Sequence, residues 1–450
     1  MARILPGVEI RVVKEIVPQQ LHPSGVVGLI GTAEKGIPLE AIPITSYREY
    51  MDKFGSNTEF TLTKDARLAF LNSVFEVFAV RVEGEAGKTA ELGLKDANGN
   101  PSLLLKAKSP GPIGNNVEVV VMKGSKENLV RVEVSDGKVS EAFDDLTMET
   151  ASEKNIASFL NANSKLIMVE DVSKKKFPAN TPALIEARLS GGTPETISKS
   201  SFEKALEALE LEPDIDIVVA SDISDPAVHA LVDAHCKNMS KEASNRIGVG
   251  TVAPGESIKD IVKRNEALAS DRFVLVAPYG VAGAVAGLLS SLSYYESPTF
   301  KPLTGLDSVE RRYTPSELME LLKAGVLAVE MRRGRGIIVE KGISTSQEQV
   351  SVTRVADHAV RGVKNVAENF IGTLNSPGGR TALKEKITEF FLSMEREGAI
   401  VPSVDGKKPP YIVDVYSSEM DFAQGIVRVD VAVRPVRAID YVYATITVEV

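Results

Sequence analysis

The sequence predicts an α/β protein that carries an inserted β-rich domain and ends in an α+β domain with extended terminal strands. Three patterns predict this fold class: helices alternate with strands in 191–345, short alternating runs fill 89–190, and two amphipathic helices precede strands in 346–434. The first is typical of a parallel sheet and the second of antiparallel strands. A chain of 450 residues also exceeds the size at which one core keeps growing, so several domains are expected.

The α/β domain is predicted to comprise residues 21–88 and 191–345, with the β-rich segment inserted between them. Its first strand, 25–31, is apolar and punctuated by glycines, which is typical of a buried strand. Ser46 followed by Glu49 predicts a capping box at a helix start. After residue 191, helices are predicted at 202–209, 225–238, 258–268 and 282–292, and strands at 215–220, 247–252 and 273–277. Strands that alternate with helices in this way form a parallel sheet.

The insertion, 89–190, and the C-terminal domain, 346–434, carry different patterns. Strand-like runs in the insertion are separated by turns rich in glycine and asparagine, which predicts a small β-rich unit. Apolar residues in the C-terminal domain recur at helical spacing along two faces: Val355, Ala359, Val363, Val366 and Phe370, then Leu383, Ile387, Phe390 and Met394. Strands follow these two helices, so the C-terminal domain is predicted to be α+β.

Both ends of the chain alternate apolar and polar residues with a period of two, which predicts strands. The N-terminal arm, 1–20, carries the apolar positions Val8, Ile10 and Val12. The C-terminal arm, 435–450, carries the apolar positions Val442, Ala444, Ile446, Val448 and Val450. A further alternating run just upstream is a possible acceptor strand, with Val427, Val429, Val431 and Val433. Unpaired strands expose backbone donors and acceptors, so these segments are expected to find a partner.

The sequence leaves open whether the arms pair within the chain or with another copy. In the first case the C-terminal arm forms a hairpin with the run at 427–433. In the second, main-chain hydrogen bonds join neighbouring subunits head to tail, and such contacts build helical assemblies. We favour the second alternative, with hinges at 18–20 and 435–440 that connect the arms to the body.

Composition limits the function classes. The net charge of −9 argues against nucleic-acid binding as the main function, because neutralising phosphates requires a basic excess. The single cysteine, Cys236, excludes an intramolecular disulfide. The uncharged stretch 273–295 is interrupted by Pro278 and Gly280, so it predicts a strand, a turn and a helix rather than a membrane span. The beginning of the chain carries no apolar signal-peptide core, and we expect no membrane insertion by this chain.

Candidate sites for chemistry are weak, and we expect no catalytic residue, metal or cofactor. His229, Asp233 and Cys236 share one helix face and could hold a zinc ion, but a helix that packs on a sheet is the simpler interpretation. Residues 84–89 resemble a phosphate loop with too few residues between the glycines. The arginine cluster at 332–335 could contact phosphate or RNA, but it fits a solvated hairpin tip or a contact with an acidic neighbouring subunit better.

Several segments together resemble the tail sheath proteins of contractile phage tails and of related phage-tail-like bacteriocins. They are PGVEI at 6–10, GVVGLIGTAEKG at 25–36, IPITSY at 42–47, KFG at 53–55, AKSPGPIGNNV at 107–117, LSGGT at 189–193, AGAVAGLL at 282–289, KAGV at 323–326, RVAD at 354–357 and FIG at 370–372. The segment 294–299, YYESPT, stands where many members carry WKAPAN, which indicates a Gram-positive-type branch.

The resemblance implies a structural protein rather than an enzyme. It implies a subtilisin-like α/β core without a protease triad, and identical subunits that polymerise helically around an inner tube by strand exchange. Contraction then drives the tube through the envelope of the target cell. The implied partners are other copies of the chain, the tail tube protein, and baseplate and tail terminator proteins. The implied location is the virion, as part of the phage tail, or a phage-tail-like particle that is assembled in the bacterial cytoplasm.

The C-terminal domain of such proteins lies inward on the tube, and the helix at 380–397 is the candidate surface for that contact. Its charged positions include Lys384, Lys386, Glu389 and Arg396. A solvated helix face would look the same. Two other functions stay open at this point: another self-assembling shell or surface-layer protein, and a subtilisin-like hydrolase.

Overall fold

The structure is a computed structural model that describes residues 25–84, 87–109, 111–137, 139–193 and 196–443. The structural statements below refer to this part of the chain. Its first elements, in chain order, are β1 (Val26–Gly31), β2 (Ile42–Ile44), α1 (Tyr47–Phe54), α2 (Thr61–Leu71) and β3 (Val77–Arg81).

The predicted capping box before α1 is half correct. Ser46 caps the helix through its hydroxyl, which accepts a hydrogen bond from the Glu49 amide at 3.3 Å. The Glu49 carboxylate, however, accepts from the Thr45 amide at 2.9 Å rather than from Ser46. The carboxylate therefore ties down the residue before the cap, which still fixes the entry of the chain into the helix.

The inserted segment forms two antiparallel sheets around a hydrophobic core of its own. The elements are β4 (Glu91–Lys95), β5 (Pro101–Ala107), a 3₁₀ turn (Pro112–Asn116), β6 (Glu118–Lys123), β7 (Val130–Ser135), β8 (Ser140–Leu146), α3 (Ile156–Asn163), β9 (Ile167–Asp171) and β10 (Ile185–Arg188). One sheet has the order β10-β6-β7-β8, and the other has the order β4-β5-β9.

The chain then alternates helix and strand up to residue 291, as predicted, and a further helix and two strands follow. The elements are α4 (Lys199–Glu210), β11 (Ile215–Ala220), α5 (Pro226–Lys241), β12 (Ile247–Thr251), α6 (Ile258–Leu268), β13 (Phe273–Ala277), α7 (Ala282–Ser291), α8 (Pro315–Ala324), β14 (Leu327–Arg332) and β15 (Gly336–Val339). The uncharged stretch 273–295 forms β13 and α7, both of which are buried. None of the helices in the described ranges is long and apolar enough to cross a membrane.

One eight-stranded sheet organises this part of the molecule, in the order β15-β14-β13-β12-β11-β1-β3-β2. The six inner strands are parallel, and the outer strands β2 and β15 run antiparallel to their neighbours. Helices cover both faces, and each face has a separate hydrophobic core. The predicted mixed α/β class is confirmed. Because both faces are covered, the central strands read as continuous apolar runs rather than alternating ones.

The last elements are α9 (Val350–Glu368), α10 (Pro377–Arg396), β16 (Tyr411–Tyr416), α11 (Glu419–Ala423) and β17 (Arg428–Val433). Helices α9 and α10 and one face of β16 and β17 enclose a fourth hydrophobic core. Strands β16 and β17 pair only with each other within the described residues. This small sheet and the chain segments next to it form the candidate functional site.

Candidate assembly interface

The β16–β17 sheet has one covered face and one exposed face. In the antiparallel register Tyr411 lies opposite Val433, and Val413 lies opposite Val431. The inner face packs against α10 and its core, although Val431 remains 37% exposed. On the outer face Ile412 is 58% exposed. A two-stranded sheet is marginal by itself, so this one is a natural acceptor for additional strands.

Like charges also face each other in this sheet. Asp414 and Asp430 are directly opposite on the outer face. Lys384 lies 3.5 Å from Asp414, and the Tyr416 hydroxyl donates to Asp430 at 3.0 Å. Like charges at directly opposed positions destabilise a strand pair, and here a cation and a hydroxyl offset the repulsion.

A strand is observed where the possible acceptor strand was predicted, but it begins one residue later. Strand β17 starts at Arg428, so Val427 lies just before it, while Val429, Val431 and Val433 lie within it. One edge of β17 pairs with β16, and its other edge has no strand partner in the described ranges. Whether that edge receives an arm stays a prediction.

The chain after β17 is held against the body of the molecule. The Val401 amide donates to the Arg434 carbonyl at 3.0 Å, and the Val436 amide donates to the Ala399 carbonyl at 2.9 Å. Arg437 then forms a two-pronged ion pair with Glu348, at 2.9 and 3.3 Å. Residues 434–437 are therefore fixed to the segments that precede β16 and α9.

Gln349 forms the centre of this attachment, which we call the Gln349 clasp (Lys341, Glu348, Gln349 and residues 437–441). The Gln349 side chain accepts from the Ala438 amide at 3.0 Å and donates to the Ala438 carbonyl at 3.1 Å and to Asp440 at 2.8 Å. Lys341 lies 3.5 Å from the Asp440 carboxylate and 3.4 Å from the Tyr441 hydroxyl. Beyond this point Val442 is 83% exposed.

The clasp bears on two expectations. Residues 435–440, predicted as a hinge, are bonded to the body along their length, so the chain leaves the body only after Tyr441. Tyr441 lies beside Lys341, and the hairpin alternative stays a prediction because the arm from residue 444 onwards lies outside the described residues. The remaining apolar positions of this arm, Ala444, Ile446, Val448 and Val450, lie outside the described residues, as do Val8, Ile10 and Val12 of the N-terminal arm and the hinge predicted at 18–20.

The N-terminal arm also has a fixed root. The amides of Gly25 and Val26 both donate to the Asp216 carboxylate, which is ion-paired with Arg361 of α9. Gly25 has a φ of +116°, and a Cβ there would lie 2.1 Å from the Ser290 carbonyl oxygen. Only glycine fits this position, so the backbone at the first described residue is fixed.

Helix α9 locks the C-terminal domain to the eight-stranded sheet. Arg354 donates to the carbonyls of Leu292 and Ser293 at 3.0 and 3.2 Å, and Asp357 pairs with Arg272. His358 stacks on Tyr294 with ring centroids 3.8 Å apart, and burial lowers the pKa of His358 to about 4. A polar cavity of about 240 Å³ lies here, with Asp216, Asp357 and their arginine partners in or beside its wall. Ion pairs between these carboxylates and arginines therefore stabilise the contact between α9 and the eight-stranded sheet.

The candidate tube-facing residues lie on α10, and part of their charge is neutralised within the chain. Lys386 is 3.0 Å from Glu389, and Lys384 is the residue that approaches Asp414. Arg396 is exposed near the end of the helix. The contact of these residues with a tube stays a prediction.

The residues weighed for chemistry have structural roles. The His229 ring nitrogen contacts the Ile223 carbonyl at 2.9 Å, Asp233 pairs with Lys237 at 2.8 Å, and Cys236 is fully buried. In the ranges that the structure covers, no group of three histidine, cysteine or acidic side chains is placed to hold a metal ion. The arginine cluster at 332–335 forms the turn between β14 and β15, which confirms the predicted hairpin tip.

Sequence reasoning missed the two arm roots. Gln349 and Ala438 are 89 residues apart, and Arg361 and Asp216 are 145 residues apart. No local pattern marks such pairs. The one available signal was Gly25 before a buried strand, because a glycine at a strand start often marks a close backbone approach.

Comparisons with known proteins agree with the resemblance seen in the sequence. Residues 195–345 match the family model for the central domain of phage tail sheath proteins. The tail sheath protein of Staphylococcus phage Twort (strain DSM 17442 / HER 48) is 35% identical over 164 residues, which is 33% of this chain and 27% of that protein. The chain thus spans about a quarter of that relative. The predicted resemblance to tail sheath proteins is confirmed.

Solved structures share the fold over nearly the full length. The sheath tail protein of Listeria innocua matches with a TM-score of 0.70 and 17% identity, over 93% of each chain. The helical sheath of the anti-feeding prophage in its contracted state matches with a TM-score of 0.59 and 12% identity, over 99% of each chain. The mixed α/β fold of this chain is therefore the fold of sheath proteins.

Proposed function

We propose that this chain, which carries the central domain of phage tail sheath proteins, is the repeating subunit of a contractile tail sheath. Copies polymerise helically around an inner tube, and contraction of the helix drives the tube through the envelope of the target cell. The observation that carries the proposal beyond the comparisons is the β16–β17 sheet, which has two strands, an exposed outer face and, within the described ranges, an open edge on β17, together with the two arm roots anchored at α9.

Strand addition explains these features together. An arm from a neighbouring copy that pairs with the open edge of β17 would form main-chain hydrogen bonds, and its alternating side chains would set the register. Both roots are anchored to α9 or to the residues just before it, so a pull on either arm reaches the same helix. A head-to-tail contact of this kind does not close on itself and therefore propagates as a helix.

The role is structural rather than enzymatic. We propose that the α/β part has a subtilisin-like core without the protease triad. In support, the described histidines serve packing: His235 lies 2.8 Å from the Arg246 guanidinium, and His358 is stacked on Tyr294. The proposed partners are further copies, the tail tube protein, and baseplate and terminator proteins. The proposed location is the phage tail or a phage-tail-like particle assembled in the bacterial cytoplasm.

Deletion of residues 441–450 tests the proposal, because the cut removes the arm and leaves the Gln349 clasp except for Tyr441. The truncated chain is expected to stay folded and monomeric by circular dichroism and sedimentation, while negative-stain microscopy finds no tubes. The full-length chain is expected to form rings or tubes of fixed diameter. Flat lattices from the full-length chain would instead identify a surface-layer protein.

A matched pair of point variants controls for the lost length. Ile446→Pro removes a backbone donor from the predicted strand and should block assembly as the truncation does. Ile446→Val keeps the strand pattern and should assemble normally. Tubes formed by the truncated chain in normal yield would refute strand exchange through the C-terminal arm.

A further inference from the structure

Four arginines surround the turn between β14 and β15: Arg312, Arg332, Arg333 and Arg335. The guanidinium carbons of Arg332 and Arg335 lie 4.8 and 5.7 Å from the centroid of the Phe300 ring. Cation–π attraction to one shared ring holds these two like charges close together. The turn therefore presents a preformed basic cluster.

An open groove of about 760 Å³ runs beside this turn. Arg312, Arg332 and Arg333 line it, together with the backbone of glycines and the exposed carboxylate of Asp307. This volume is in the range of pockets that bind drug-sized ligands, so the groove is large for a single small anion. It fits a set of side chains from a protein surface.

Most of the positive charge in the cluster is not neutralised by this chain. Arg332 pairs with Glu340 at 2.7 Å and with Glu330 at 3.4 Å. By contrast, Arg312, Arg333 and Arg335 are exposed and form no ion pair within the described ranges. Three solvated arginines beside one groove attract an acidic partner.

Helix α4 carries the complementary surface. Glu203, Glu207 and Glu210 are exposed and occupy positions i, i+4 and i+7, which lie on one face of a helix. Within the described ranges, only Glu203 of these three has a lysine nitrogen within 4 Å, that of Lys199 at 3.9 Å. His235 lies 3.7 Å from Glu210. Burial and the neighbouring Arg246 lower the pKa of His235 to about 4, so it is neutral at pH 7 and adds no positive charge beside Glu210.

These two surfaces cannot neutralise each other within one subunit. Helix α4 packs on β1 and β3, whereas the basic turn lies at the β14–β15 end of the sheet. Three strands separate β14 from β1, which at about 4.8 Å per strand places them about 19 Å apart. Two complementary patches at different places on one molecule produce a heterologous contact between copies.

We infer that the basic groove at the β14–β15 turn of one subunit receives the acidic face of α4 from a second copy of this chain. The inference rests on the proposed sheath function and adds a specific contact between the α/β regions of neighbouring subunits. Both surfaces lie in the range 195–345, which matches the sheath central domain. The contact is separate from the terminal arms.

A charge-swap experiment on the full chain tests the contact. The variants are Arg333→Glu with Arg335→Glu, Glu207→Lys with Glu210→Lys, and all four changes together. The control is Lys174→Glu with Lys176→Glu, which reproduces the charge change of the arginine variant at exposed positions of the inserted domain. Each variant is checked for native circular dichroism, and the polymerised fraction is measured by sedimentation and negative-stain microscopy.

Each double reversal is expected to lower the polymerised fraction about 10-fold, because like charges then face each other. The control should stay within about twofold of the unmodified chain, and the fourfold variant should recover most of the assembly. Normal assembly of the arginine double variant, or no recovery in the fourfold variant, would overturn the inference. Failure of the unmodified chain to form tubes would count against the sheath function itself. This outcome differs from failure of the proposed contact, in which the unmodified chain does form tubes.

Discussion

The eight-stranded sheet and the β16–β17 sheet are both rich in valine and isoleucine, but only the first is complete. In β1 and β13 every residue is buried, because helices cover both faces. In β16 residues alternate between half-buried and exposed, and Ile412 and Tyr416 remain in contact with solvent. The same residue types thus build a finished core in one region and an unfinished surface in the other.

The difference separates two functions of apolar residues. Those in the eight-stranded sheet stabilise the subunit itself, since their burial is achieved within the chain. The exposed residues of the small sheet, such as Ile412 and Val431, gain little burial within the chain, so their contribution is available to assembly. An exposed apolar strand is otherwise an aggregation hazard, which is a reason to expect a specific partner.

Truncating one apolar residue in each region gives the strongest test of this difference between the two sheets. Phe273 is fully buried between His229 and two glycines of β12, and Phe273→Ala should lower the free energy of unfolding by about 3–5 kcal/mol. Ile412→Ala should lower it by less than about 0.5 kcal/mol, because the side chain is already solvated. Urea unfolding followed by circular dichroism measures both. Equal losses would contradict the distinction.

Acid should weaken the two regions unequally. Burial lowers the pKa of His229 and His235, both on α5, to about 4, and likewise that of His358 on α9. As the pH falls below about 6.5, these histidines are protonated in the unfolded chain before they are protonated in the folded chain. The free energy of unfolding therefore decreases between pH 6.5 and pH 4, on the order of 2 kcal/mol per histidine. Two of these histidines lie in the α/β region and one lies at the C-terminal interface, so acid should destabilise the α/β region more.

Burial and the nearby Asp222 raise the pKa of Asp65, in the α/β region, to about 6. A raised carboxyl pKa acts in the opposite direction: it favours the folded state as the pH falls from 6 towards 4, and so offsets part of the loss. Hydrogen exchange at pH 7 and pH 5 measures protection in each region. A larger loss of protection in the C-terminal helices than in α5 would contradict the expectation.

The smallest expected effect concerns the Gln349 clasp. Gln349→Ala removes three hydrogen bonds to Ala438 and Asp440, so the amides of 436–440 should exchange about 10-fold faster, which corresponds to about 1.4 kcal/mol of local stability. Gln424→Ala, the same truncation at an exposed position, is the control and should leave that segment unchanged. Unchanged exchange in both variants would mean that the remaining contacts, which include the Arg437–Glu348 and Lys341–Asp440 ion pairs, hold the segment without Gln349.

Much of the fold was predictable because its signals are local. The buried strands 215–220 and 273–277 and the helix 258–268 agree with the observed bounds of β11, β13 and α6. Apolar runs of strand length bounded by turn residues, alternating with helical periodicity, admit few other interpretations. The candidate site was less predictable, because the alternation of residues 427–433 identifies a strand without identifying which edge stays open.

By itself, the sequence determined the order of helices and strands, the parallel sheet and the resemblance to sheath proteins. These follow from residue periodicity and motif order, which act over short stretches of chain. Only the tertiary structure decided that the segment 435–440 is clasped by Gln349, that Gly25 is tied to Asp216 and Arg361, and that the basic turn and α4 lie apart on one sheet. Such contacts join residues far apart in the chain, and their partners are set by how the helices pack on the sheet.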